Sequence, residues 1–364
     1  MPLAGQDFRH LLVLLLLALP VIGQVTGASG KLSLLFLLVI AVVDAFIGTR
    51  PALSRPHPWP AARHAWFTVF LHAYAAFHVA LIIWGVGLMA DQAGYGPGPA
   101  GPGAGLNVYD GAVWLGIAVG FVTGSFGITI AHELGHRPSR VDRALAQGLL
   151  MTVCYGHFYV EHNRGHHARV ATPADPATAR LGESFYRFLP RTVFGGIAHA
   201  WRLEALRLRA QGRWVLSPAN RNLVYLAAQA GLCALAFAAA GMPGLLFFLV
   251  QAGVAVLLLE LVNYVEHYGL VRQRAADGRY ETVKPHHSWN ADTWFGNALL
   301  INLQRHSDHH ADSSRPYEAL RSIATAPQLP TGYAGMILLA LLPPLWFRVM
   351  DRRVAAARAA AASA

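Results

Sequence analysis

Nine of the eighteen histidines in this 364-residue chain fall in four short stretches. The first is His132-Glu133-Leu134-Gly135-His136, and the second is Glu161-His162-Asn163-Arg164-Gly165-His166-His167. The third, Asn263-Tyr264-Val265-Glu266-His267-Tyr268-Gly269, carries one histidine, and the last is His306-Ser307-Asp308-His309-His310. Neutral imidazole is a common metal ligand, and its second nitrogen needs an acceptor that fixes the ring. Each stretch brings a candidate acceptor beside its histidines: Glu133, Glu161, Glu266 and Asp308. Histidines four apart on a helix share a face, and His132/His136, His162/His166 and His306/His310 have that spacing. Nine imidazoles are too many for one ion, so the pattern predicts two.

The elements that present these residues must be apolar helices. The chain is 54% hydrophobic and only 13% charged, which points to an integral membrane protein. Roughly 20 apolar residues cross a bilayer as a helix. Six stretches qualify: 10–27, 32–48, 66–90, 112–131, 222–241 and 244–266. The first follows Arg9 but lacks a small-residue cleavage site and runs straight into a second span, so it reads as a helix and not a signal peptide. The expected fold is an all-α integral membrane protein, a single membrane-embedded domain over 1–364. Its six transmembrane helices carry a helical cap, built from 137–221 and 267–364, that holds the histidine-rich site.

Charge orients the spans. Arg50, Arg55 and Arg63 follow the second, 137–221 is rich in arginine, and Arg272 and Arg274 follow the sixth, whereas Asp91 to Asp110 has no Lys or Arg. The positive-inside rule puts both termini and all four histidine stretches on the cytoplasmic side. The net charge of +10 is then a topology signal. Nucleic acid is not an expected partner, because the arginines form no single basic stripe.

Other segments carry less. Gly94 to Gly105 is a Gly/Pro-rich external loop, and Pro173, Pro176, Pro190 and Pro218 should break the helices of 137–221. Gly332 to Met350 is apolar but holds Pro343-Pro344. It reads as a helix and turn packed on the cap, followed by a loosely ordered alanine-rich tail. Cys154 and Cys233 are remote in sequence and form no C-x-x-C pair, so this chain cannot hold an iron–sulfur or rubredoxin centre of its own.

Each histidine pattern has a plainer reading. His132-Glu133-x-x-His136 alone matches a zinc-protease motif, but one further ligand would complete such a site and leave six histidines unused. His10, His57, His64, His72, His78, His157 and His199 are isolated and read as packed or interfacial residues. His286 and His287 have no partner at i+4; His287 is a candidate for the layer behind the ligands.

Together these stretches resemble the membrane-bound diiron alkane hydroxylases, relatives of xylene monooxygenase and the membrane fatty-acid desaturases. Desaturases share the looser histidine boxes. Asn263 to Leu270, Leu303 to His310 and Thr172-Pro173-x-Asp175-Pro176-Ala177-Thr178 narrow the similarity to the hydroxylase branch. So do Asp277-Gly278-Arg279-Tyr280, Pro285-His286-His287-Ser288-Trp289-Asn290 and Pro344-Leu345-Trp346. The likeness covers about residues 40 to 350, with one departure. Where the family has acidic residues and Asn-Pro after Asp44 and Gly48, this chain has Thr49-Arg50-Pro51.

The resemblance implies two irons held by His132, His136, His162, His166, His167, His267, His306, His309 and His310, with their division between the irons left open. It implies O2-dependent hydroxylation of a terminal methyl group of a medium-chain n-alkane to a primary alcohol. Electrons would come from rubredoxin and its reductase, at the bacterial inner membrane. The alternatives are an aryl-methyl monooxygenase of the xylene type and a fatty-acyl desaturase or hydroxylase. Phe36 lies eight residues before Asp44, ~12 Å along a helix, and matches the position whose bulky side chain floors the alkane pocket in the family. It is the expected substrate-binding residue.

Overall fold

The computed structural model describes residues 9–49, 61–94 and 108–362. Among them the chain is helical, with only isolated bridges such as Thr49 with Thr293. Four helices are long and apolar enough to cross a membrane: Ser29–Ile47, Ala65–Gln92, Val108–His136 and Arg221–His267. The expected span at 10–27 is shorter. It is divided into Arg9–Leu11, Leu12–Leu16 and Leu19–Val25. The Gly/Pro-rich run over 95–105 and Arg50, Pro51 and Arg55 lie outside the described residues, as does the side chain of Arg63.

The 47-residue run Arg221–His267 would be ~70 Å long if straight, more than twice the ~30 Å hydrocarbon layer. It breaks at Ala240 and Gly241, and Gly241 takes φ 60 and ψ −153, a conformation that is costly for any residue with a Cβ. The break divides it into 221–239 and 242–267, where the sequence placed two spans.

The described residues form two compact units. Within the described residues, the first draws on 9–37, 61–94, 108–159 and 204–259, and the second on 38–49, 160–203 and 260–362. In the first, Gly116, Gly120 and Gly124 repeat every four residues and let the Val108–His136 helix lie against residues 247–258. A Cβ on Gly120 would sit 2.6 Å from the Gln251 carbonyl oxygen and 2.7 Å from Val254 Cβ; one on Gly124 would sit 2.7 Å from Ala255 Cα. Membrane helices lack a hydrophobic drive to associate, so close backbone packing through small residues replaces it. This helix is not uniform: Thr123–Ile128 is a π-turn, and the α-helix resumes at Thr129–His136.

The second unit anchors its histidine-bearing segments by side-chain to backbone bonds. Gly269 ends the long helix with φ 71 while Val354 packs where its Cβ would be, at 2.8 Å. Asp44, buried at the end of Ser29–Ile47, accepts from the Gly296 N–H at 2.9 Å. Ser307 N–H donates to Asn290 Oδ1 at 2.8 Å.

Two expectations change here. Pro190 does not break its region, because the helix Phe185–Ala210 runs through it and gives up only the one backbone bond a proline cannot make. The alanine-rich tail is ordered as the helix Pro343–Ala362. Its Trp346 is fully buried against Tyr264 and Tyr268, and Arg358 donates to the Gly269 carbonyl at 2.9 Å.

Gly120→Val tests the helix packing. Forcing three heavy atoms into that contact should cost about 1–3 kcal/mol, read as a lower unfolding midpoint in detergent. An unchanged midpoint would show that the glycine face is not closely packed.

Candidate metal centre

Seven of the nine expected ligands lie in the second unit, and their ring nitrogens converge at two points. His166, His267, His306 and His310 offer ligand atoms within 4.8 Å of one another, and all four are buried. His166 Nε2 lies 3.2 Å from His310 Nε2, His310 Nε2 lies 2.9 Å from His306 Nε2, and His306 Nε2 lies 3.2 Å from His267 Nε2. His162, His167 and His309 form the other set, with Nε2 of His167 at 3.0 Å from that of His162 and 3.2 Å from that of His309. Nitrogens bound to one ion at ~2.1 Å sit roughly 3–3.5 Å apart, so these separations match a shared ion. The sets adjoin: the His167 and His310 rings, one from each, are 4.6 Å apart between centroids.

Spacing alone pairs His162 with His166, four residues on, but the structure separates them. Residues His162–His166 form a π-turn, in which the hydrogen bond runs from i to i+5. The wider turn brings His167, not His166, beside His162 and sends His166 to the other set. His306 and His310, on the α-helix His306–Ala311, do share a set. One heptapeptide thus feeds both points because its backbone leaves the α-helical period.

The donor chemistry fits a cation. His166 Nδ1 lies 2.9 Å from Asp175 Oδ2, and both side chains are buried. Burial would raise the Asp175 pKa, but the His166 ring and the Thr178 hydroxyl, which donates to Oδ2 at 2.6 Å, hold it below the usual carboxylate value. An ionised Asp175 accepts a hydrogen bond from His166 Nδ1–H and fixes the tautomer whose Nε2 lone pair faces His310. Burial and the neighbouring rings keep His310 well below the usual histidine pKa, so it is neutral and ligand-ready. Two lone pairs cannot bond each other, whereas one cation satisfies several at once. All-imidazole sets suit zinc, copper, iron and nickel.

The expected acceptors play varied parts. Glu266 Oε2 lies 3.2 Å from His306 Nε2, on the ligating side and not behind the ring. Glu161 meets His199, which sequence reading treated as merely packed: His199 Nδ1 donates to Glu161 Oε1 at 3.0 Å, and Arg169 donates to His199 Nε2. Burial and the Asp175 charge push the Glu161 pKa up to about 8, so it keeps its proton near neutrality. Asp308 accepts from Arg321 Nη2 and from the Arg321 N–H, both at 2.8 Å, which ties the last histidine helix to residue 321. In the first unit, Glu133 accepts from Arg137 Nε at 3.0 Å, and His132 and His136 share a helix with rings 4.9 Å apart. Asp175 stands in a stretch quoted above, but nine residues from its histidine, too far for local spacing to betray its role.

A third group, Glu281, His286 and His287, also has ligand atoms within 4.8 Å. It is explained without a metal. His287 Nδ1 accepts from the Lys284 N–H at 2.9 Å, so the ring proton is on Nε2, 3.2 Å from Glu281 Oε1. A protonated Nε2 is not a ligand, and Lys284 Nζ already occupies the other Glu281 oxygen at 2.8 Å. His287 therefore shapes the 285–287 turn. Burial, with Cys233 beside it, pushes the Cys154 thiol up to about 12, and two thiols cannot replace the four cysteines of an iron–sulfur cluster.

Comparison with known proteins agrees with this chemistry. The family model for fatty acid desaturases matches residues 111–340. Alkane 1-monooxygenase 2 of Pseudomonas aeruginosa is 41% identical over 330 residues, 87% of this chain and 82% of that protein. Alkane 1-monooxygenase 1 of the same organism is 50% identical over 249 residues, 67% of this chain and 65% of that protein. The hydroxylase component XylM of a Pseudomonas putida xylene/toluene monooxygenase is 29% identical over 236 residues, 65% of this chain and 62% of that protein. The match thus spans just under two thirds of two of these relatives.

Asp175→Asn tests the orienting bond. An amide keeps the size but presents its NH2 or a weaker acceptor to Nδ1, and losses at such positions weaken metal binding by roughly 10–100-fold. Metal titration of the purified variant should show one tight site kept and one weakened. Two unchanged affinities would remove Asp175 from the centre.

Proposed function

We propose that this chain, which belongs to the fatty acid desaturase family and within it to the alkane 1-monooxygenases, hydroxylates the terminal methyl group of medium-chain n-alkanes with O2. The observation that carries the reading is the convergence of seven buried or half-buried imidazoles on two adjoining points. Two irons are the ions proposed. When bound they supply the oxidant that an unactivated C–H bond demands. His166, His267, His306 and His310 hold one. His162, His167 and His309 hold the other, and this three-nitrogen set leaves coordination positions open. On the family resemblance, His132 and His136 are proposed as further iron ligands, their assignment between the two irons left open. Asp175 holds the His166 tautomer.

Two electrons must arrive from another protein, because the chain has only two cysteines. The proposed donor is rubredoxin, served by its reductase. Arg272 is already committed to the Ala168 and Glu281 carbonyls, so other arginines of the face must attract an acidic donor. The proposed setting is the bacterial inner membrane with six spans, the broken helix 221–267 counting as two and 9–25 as the shortest, and both termini cytoplasmic. An alkane dissolved in the bilayer then enters between helices without crossing water.

Phe36 is the proposed floor of the alkane pocket. Its ring meets Phe121 edge-on at 6.4 Å, and Phe121 meets Phe126 at 6.2 Å, giving an aromatic row within the first unit. Phe36→Ala should lengthen the accepted alkane by several carbons and Phe36→Trp should shorten it, at matched iron content. An unchanged length profile in both would place Phe36 elsewhere.

The function itself is tested with membranes supplied with rubredoxin, its reductase and NADH, and offered n-alkanes, aryl-methyl compounds and fatty-acyl substrates. The expected product is a primary alcohol carrying one atom from labelled O2. A product with a new double bond and no added oxygen would make the chain a desaturase. Preferential turnover of aryl-methyl compounds would favour the XylM-like alternative.

A further inference from the structure

Within the first unit, a polar network surrounds the π-turn at Thr123–Ile128 in the middle of an apolar helix. Tyr74, His78, Thr123 and Gln251 are fully buried. Tyr74 Oη donates to the Val122 carbonyl at 3.1 Å, a peptide group at the mouth of the turn. Thr123 Oγ1 donates to Gln251 Oε1 at 3.1 Å, and Gln251 Nε2 donates to the Thr152 carbonyl at 2.7 Å. Thr152 Oγ1 gives its proton to the Leu149 carbonyl at 2.6 Å, so at its 2.9 Å contact with His78 the imidazole Nε2–H is the donor. The His78 ring then lies against Gly127, where a Cβ would come within 2.6 Å of both Cε1 and Nδ1.

Polar groups inside a membrane bundle are costly and are kept for a reason. A π-turn accommodates one residue more than the α-helix it interrupts, and a residue is worth ~100° of rotation. In an unbroken α-helix His132 and His136 would stand about 80° and 120° around the axis from Gly124. The extra residue takes ~100° back and leaves them within about 20° of Gly124 on either side. The turn therefore decides whether this histidine pair leaves the helix on its glycine face or well away from it.

We propose that His78, seated on Gly127 and tied to Thr152, is a positioning residue that holds the π-turn and thereby sets the direction of His132 and His136. The inference rests on the reading of that pair as iron ligands. Its basis is independent of it: the π-turn, the network and the lack of room at Gly127.

The test measures iron per folded chain, beside thermal unfolding and size-exclusion behaviour, in wild type and three variants. Deleting Ser125 removes the extra residue and should leave a folded, monodisperse protein with no more than half the wild-type iron. Gly127→Ala drives a methyl into the His78 ring and should lower iron at least twofold. His78→Ala removes the brace and should also lower iron at least twofold in folded, monodisperse protein, which a merely packed histidine would not do. Full iron in the Ser125 deletion, in Gly127→Ala or in His78→Ala would overturn the proposal. Wild-type protein with fewer than two irons would instead overturn the ligand reading, and this inference with it.

Discussion

The structure of the second unit depends on holding seven imidazoles together with their Nε2 atoms turned toward one another. Lone pairs at about 3 Å repel, and an unpartnered polar group in a dry interior costs roughly 1–3 kcal/mol. Holding seven rings this close therefore calls for grips behind the rings or a cation between them. Asp175 provides that grip for His166, and its own ionised state depends on the same contact. The pair is mutually enforcing: removing either leaves a buried charge or a ring free to flip.

The remaining anchors serve the same end at longer range. The last histidine helix has only six residues, too short to hold its direction alone. Ser307 is fastened to Asn290, Asp308 to Arg321 and Arg305 Nη1 to the Leu320 carbonyl at 2.7 Å, so three of the four residues 305–308 are tied elsewhere. Gly269 lets the chain leave the helix immediately after His267, and Trp289 Nε1 donates to the Tyr268 carbonyl at 2.9 Å to close that corner. Asp44 reaches the same segment from another helix through Gly296.

Much of this was legible in the sequence. The ligands announce themselves because histidine, glycine and acidic residues crowd into a few positions of an otherwise apolar chain. The long helices announce themselves because unbroken apolar runs have few other fates. What resisted reading was every feature set by departure from the α-helical period. The i, i+4 rule pairs His162 with His166, but the π-turn pairs His162 with His167. No composition rule marks that turn, since Gly165 is its only unusual residue and its reason, His199 lying where a Cβ would be, comes from a helix 20 residues further on. Acidic neighbours were also a poor guide: Asp308 serves Arg321, whereas Asp175, outside all four stretches, serves His166. Helix ends likewise follow packing. The alanine-rich tail is ordered because Trp346 and Val354 are buried, which alanine content alone cannot reveal.

The central claim is that two irons sit in separate, imidazole-dominated sets that share no cysteine sulfur. X-ray absorption at the iron edge of purified protein, quantified for iron per chain, tests it directly. The account predicts two irons per chain, scattering fitted by nitrogen and oxygen neighbours at roughly 2.0–2.2 Å with imidazole multiple scattering, and no sulfur shell. A single ion per chain, or a sulfur neighbour near 2.3 Å, would contradict it.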